Sequence, residues 1–112
     1  MVSLESQVAM LKKLVLASVL VVSPWLAHAQ GTPEGARQKT SMCIGCHGIP
    51  EYKASFPSVY RVPMIAGQNA KYLENALQAY KKGERSHPTM RGIAGSLSDK
   101  DIADLAAYYA GK

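Results

Sequence analysis

Cys43-Ile44-Gly45-Cys46-His47 places two thiols and an imidazole within five residues. Thiols three positions apart on one helical turn can each add across a vinyl group of a porphyrin. An imidazole directly after the second thiol then lies beneath the metal, where it can act as an axial ligand. C-x-x-C-H is the attachment signature of a c-type haem. Three other chemistries use cysteine pairs. A thioredoxin-like redox pair needs a βαβ setting, and the best strand candidate, Val59 to Val62, is too short for one. A structural zinc needs two further ligands, yet His87 is the one other histidine beyond residue 29 and no second cysteine pair exists. A disulfide across two residues closes too small a loop to add much stability.

Three helices are expected around this motif. Thr32-Pro33-Glu34 has the order of a helix start: cap, first-turn proline, first-turn carboxylate. That helix is expected to run to Met42 and deliver the cysteines. Gly48 to Val62 contains Pro50, Ser55, Pro57 and Ser58 and is expected to be a loop. Tyr72, Leu73, Ala76, Leu77 and Tyr80 recur at three- and four-residue spacing, which predicts a helix over Asn69 to Lys82 stopped by Gly83. Ser98 with Asp101 forms a capping box for a last helix over Asp99 to Ala110, with Ile102, Leu105, Ala106 and Tyr109 on its apolar face. The predicted class is all-α: short helices wrapped around one covalently bound haem, with no sheet of consequence.

The N-terminus has another character. Lys12-Lys13 precede the nine-residue apolar run Leu14 to Val22, and Ala27-His28-Ala29 follows it. These are the n-region, h-region and A-x-A site of a secretory signal, and a membrane span needs about 20 apolar residues. Residues 1–29 are therefore expected to be a signal peptide cleaved after Ala29, with residues 30–112 the mature domain. Residues 1–9 suit a signal poorly, and Met10 before Leu11-Lys12-Lys13 is the better start. Of thirteen basic and eight acidic residues, the leader takes two and one, leaving eleven and seven. Two ionised haem propionates would bring this small positive charge to roughly +2. Such a charge gives no footing for nucleic-acid binding. A chain of this mature size has a small core and leans on a bound group.

Cys43-x-x-Cys46-His47-Gly48, then Pro63-Met64-Ile65-Ala66-Gly67-Gln68 with Tyr72-Leu73, then Met90 and Leu97-Ser98-Asp99 with Ile102 to Tyr109, resembles the class I cytochromes c. Among these, the sequence is most similar to the bacterial cytochrome c4 and c553 group, and the likeness spans the whole expected mature chain. Cytochromes c4 carry two such domains in tandem, and this chain has one haem motif. The resemblance implies thioethers at Cys43 and Cys46, His47 as proximal ligand and Met90 as distal ligand. It also implies that the Pro63 carbonyl accepts the other ring N–H of the proximal histidine, a bond that orients the ring; a proline that merely stiffens a loop is the alternative there. His87, three residues before Met90, is the alternative distal ligand, although Pro88 suggests a surface turn. Met42 and Met64 are expected to be core filler.

With both axial positions filled, the iron offers no open substrate site, which argues for an electron carrier and against an enzyme. The expected role is periplasmic transfer of single electrons on one haem c, between redox proteins, by a monomer or transient complex without membrane insertion of the mature chain. The alternative is a tightly bound cytochrome subunit of a periplasmic dehydrogenase. Lys71, Lys81, Lys82, Arg85 and Arg91 could form a steering rim, but a solvated, weakly basic surface is the simpler expectation.

Overall fold

The computed structural model describes residues 3–18 and 31–112, with residues 12–18 described for their backbone alone. Helix α1 spans Leu4–Ser18, and its side chains Leu4, Met10 and Leu11 are all exposed. The rest of the expected apolar run and the expected cleavage site lie outside the described residues. Among the described residues, no helix is long and apolar enough to cross a membrane.

The haem motif lies on helix α2, Ser41–His47. Residues 33–40 before it differ from expectation: they form successive turns rather than a helix continuing to Met42. Their hydrogen bonds show the difference. Gly35 N–H bonds to Thr32 O, Arg37 N–H to Glu34 O and Lys39 N–H to Ala36 O, so much of the segment winds through i→i+3 bonds, the tighter 3₁₀ pattern that short pieces adopt. Thr32 still acts at its start, where its hydroxyl accepts from Gly35 N–H at 3.3 Å.

This segment is held by helix α5, Asp99–Ala110. The Thr32 N–H donates to Asp104 Oδ1 at 2.8 Å and Lys100 Nζ to Oδ2 at 2.5 Å. Asp104 is only 2% exposed, and burying a carboxylate is tolerable only with such partners. A Cβ at Gly35 would run into the buried Asp104 carboxylate, so the close approach favours glycine.

The expected loop after α2 contains a small antiparallel ladder, β1 (Lys53–Ala54) with β2 (Tyr60–Arg61), in the register Lys53↔Arg61 and Ala54↔Tyr60. Two residues per strand leave the all-α class intact. Helix α3, Ala70–Lys82, starts one residue later than expected because Asn69 is its cap, accepting from Tyr72 N–H at 3.1 Å. It stops at Gly83, whose φ of 82° puts it in the left-handed region and turns its N–H back to Ala79 and Tyr80 carbonyls, a termination that glycine permits without strain.

Helix α4, Pro88–Gly95, replaces the expected surface turn. Proline at the first helical position favours a helix start, and His87 is the cap, its Nδ1 accepting from Met90 N–H at 3.4 Å. In α5 both halves of the expected capping box are present. Helix α3 packs against both α4 and α5. Ala36, Cys43, Leu73, Leu97, Ile102, Leu105, Ala106 and Tyr109 form the core, so apolar faces predicted for α3 and α5 meet the haem-motif helix there.

Candidate haem site

Helix α2 divides its two thiols. Cys43 is buried in the core and Cys46 is exposed. Burial pushes the Cys43 thiol up, with the neighbouring Tyr109 hydroxyl opposing in part. Four residues after Cys43, the half-buried His47 ends the helix. Its Nδ1 lies 2.6 Å from the Pro63 carbonyl oxygen. A carbonyl can only accept, so Nδ1 carries the proton and donates, which leaves the Nε2 lone pair available to a metal. That is the arrangement in which a partner on one ring nitrogen orients the other for ligation.

The loop that presents the Pro63 carbonyl is anchored from behind, for Gly67 N–H donates to the Tyr109 carbonyl at 2.8 Å. The structure thus brings Cys43, Cys46, His47 and Pro63 together. Met90 comes from a separate element, the first turn of α4, where it is half-buried. His87 beside it spends Nδ1 on the α4 cap, and its ring lies 5.7 Å from that of Tyr60.

Do these residues fit a haem? Two thiols and a histidine with a free Nε2 form the donor set for a covalently held iron porphyrin. On α2 and in the segment that follows it, Ile44, Ile49, Phe56, Val59, Tyr60 and Met64 are each at least 45% exposed, apolar side chains that a bound group can cover. Met42 and Met64, expected as core filler, are instead exposed at 37% and 51%, because the protein's own core lies on the α3–α5 side of the motif. Among the described residues, no three His, Cys, Asp or Glu side chains converge to hold a bare metal ion. The residues fit the haem.

The candidate steering cations are partly neutralised. Lys71 pairs with Glu74 at 3.3 Å and Lys81 with Asp99 at 2.9 Å, while Arg85 lies over the Tyr80 ring at 4.7 Å. Lys81 and Gln78 together hold the Asp99 carboxyl below its usual range. Such exposed pairs favour the solvated, weakly basic reading of this surface.

Two roles escaped the sequence reading. Asp104 as the buried anchor of the N-terminal segment was signalled only by its position among apolar neighbours on α5. His87 as a cap was signalled by Pro88 directly after it.

Comparison with known proteins agrees with this geometry. The Cytochrome c family model matches residues 33–110. Cytochrome c4 of Pseudomonas aeruginosa is 38% identical over 85 residues, covering 76% of this chain and 40% of its own length. Cytochrome c-554(548) of Halomonas halodenitrificans is 38% identical over 82 residues, covering 70% of this chain and 94% of its own length. A thiosulfate dehydrogenase electron acceptor of Stutzerimonas stutzeri is 34% identical over 76 residues, covering 68% of this chain and 34% of its own. The chain therefore spans about two fifths of the cytochrome c4 relative and nearly all of the c-554(548). It belongs to the cytochrome c family, in its c4 and c-553 group, and its cofactor is haem c held through Cys43 and Cys46.

Proposed function

From this family membership and the site geometry, we propose that the protein is a periplasmic carrier of single electrons, on one haem with His47 and Met90 as axial ligands. The observation that supports it most is the 2.6 Å contact between His47 Nδ1 and the Pro63 carbonyl, which leaves Nε2 as the only ring atom able to ligate. When bound, the haem supplies an iron centre that gains and loses one electron. The residues of the chain set its properties. Cys43 and Cys46 hold the group covalently, and the Pro63 carbonyl fixes the orientation of the imidazole. Met90 offers a soft thioether that favours reduced iron and raises the potential. The signal-like character of residues 12–29 supports export and cleavage after Ala29, which gives a mature domain of residues 30–112.

A second reading is a cytochrome subunit bound to a periplasmic dehydrogenase. The name of the Stutzerimonas stutzeri relative, an electron acceptor for thiosulfate dehydrogenase, favours it. Size-exclusion chromatography of a native extract separates the two, because a free carrier elutes alone. Carrier function itself is tested by spectroelectrochemical titration of the purified protein with carbon monoxide as a probe. A single one-electron transition and no carbon monoxide uptake by the reduced protein are expected. Rapid uptake would show an open iron site and overturn the carrier reading.

A further inference from the structure

Among the described residues, one buried side-chain polar atom has no hydrogen-bond partner: the Tyr109 hydroxyl. Tyr109 sits in the last turn of α5 and is 7% exposed. Its ring meets that of Tyr108 edge-on, with centroids 5.1 Å apart and planes at 86°, so the orientation of the phenol is held from one side. Cys43 shares its core cluster and is the polar neighbour of the hydroxyl. Burial and the Cys43 sulfur both push the phenol up, so the group keeps its proton. An enclosed hydroxyl without a partner is costly and calls for an explanation.

The covalent chemistry of the site supplies one. A free thiol can donate or accept, and it competes with the phenol for the role of donor. Once sulfur is a thioether it has no hydrogen left and can only accept. Direction is then forced, from tyrosine to sulfur. The carboxylates of the haem are excluded as the partner by constitution, because the vinyl-derived edge that the cysteines hold and the propionate edge lie on opposite sides of the macrocycle. Cys46 differs, since it is exposed and its sulfur meets water.

We propose that in the haem-loaded protein the Tyr109 hydroxyl donates a hydrogen bond to the sulfur of Cys43, which makes Tyr109 a positioning residue for one of the two thioether arms. The inference rests on the covalent attachment at Cys43. The bond draws electron density from that sulfur and hence from the macrocycle, so the reduced state is favoured. It also makes the two thioethers unequal, one held by the protein and one by solvent.

The test uses purified holoprotein and resonance Raman spectroscopy of the C–S stretching modes. Tyr109→Phe removes only the hydroxyl; Tyr108→Phe is the comparison. Tyr109→Phe is expected to bind haem covalently, shift one of the two C–S bands, lower the reduction potential and lower Tm. Tyr108→Phe is expected to leave bands and potential unchanged. Unchanged C–S bands and potential in Tyr109→Phe overturn the proposal whatever happens to Tm, because a merely packed or orphaned hydroxyl would move Tm alone. Should Tyr109→Phe fail to accumulate, transfer of the wild-type holoprotein into D2O decides. A shift of one C–S band supports the bond, and no shift of either overturns it. Loss of haem mass from the wild-type protein would instead refute the attachment on which the inference stands.

Discussion

Between Asn69 and Ala110 each helix begins with a side chain that caps it: Asn69, His87 and Ser98. Between Gly48 and Met64 the regular structure is a two-residue ladder, and Phe56 and Val59 stand 65% and 77% exposed. The first region caps its own helices and buries Leu73, Ile102 and Leu105 in a shared core. The second has apolar side chains without protein atoms to cover them. One region is specified by its own residues, and the other leaves apolar side chains for a bound group to cover. His47 is the joint between them, for it ends the helix that reaches the core and bonds to the Pro63 carbonyl at the far end of the loop.

The comparison breaks most visibly if haem is never attached. Cys43→Ala with Cys46→Ala removes the covalent link and with it a ligand that stabilises the folded state by mass action. The exported double variant is expected to be largely unfolded and degraded, as measured by circular dichroism and limited proteolysis. A folded, soluble double variant would show that the α3–α5 core supports the domain alone.

A smaller effect separates buried from exposed charge in the two regions. Asp104→Ala leaves the Thr32 N–H without its acceptor and should cost about 1–3 kcal/mol in chemical denaturation of the holoprotein. Arg61→Ala removes a partner of Glu51, at 2.8 Å in an exposed ion pair, and should cost about 0–1 kcal/mol. Equal costs would erase the distinction. The same carboxylate has a pH signature. Lys100 and the Thr32 N–H hold Asp104 below the usual carboxylate range. A group whose folded pKa is depressed stabilises the fold above its unfolded value, and that contribution is lost as pH falls through the folded one. Asp104→Asn should therefore flatten the loss of stability on acidification below the usual carboxylate range, read as Tm against pH.

The same divide governs what could be read in advance. Helix α5 was legible to the residue because Ser98, Asp101 and the apolar spacing all act locally. Helix α3 was legible because Gly83 and the apolar periodicity give its length. The turns at 33–40 were not, since the force that alters them comes from Asp104, some 70 residues away along the chain. Helix α4 was missed because Pro88 was read as a turn, although the same residue suits a first helical position. The exposure of Met42 and Met64 was hidden for a further reason, that composition does not say which face of the haem motif the protein's own atoms cover. The cysteines and His47 were plain from spacing, whereas Pro63 and Met90 were implied by resemblance. Of those two, the structure brings Pro63 to His47.

Met90 carries the central claim, and His87 three residues earlier is its rival. The most direct measurement is the weak red-edge charge-transfer band of the oxidised holoprotein, recorded for the wild type, Met90→Ala and His87→Asn. Asparagine is a good helix cap and cannot replace a histidine ligand, so His87→Asn keeps the start of α4 while removing the imidazole. The band is expected in the wild type and in His87→Asn at nearly unchanged potential. Met90→Ala should abolish it, lower the potential and admit exogenous ligands. A band indifferent to Met90→Ala, with His87→Asn opening the iron to carbon monoxide, would contradict the His/Met assignment and make the protein a bis-histidine carrier.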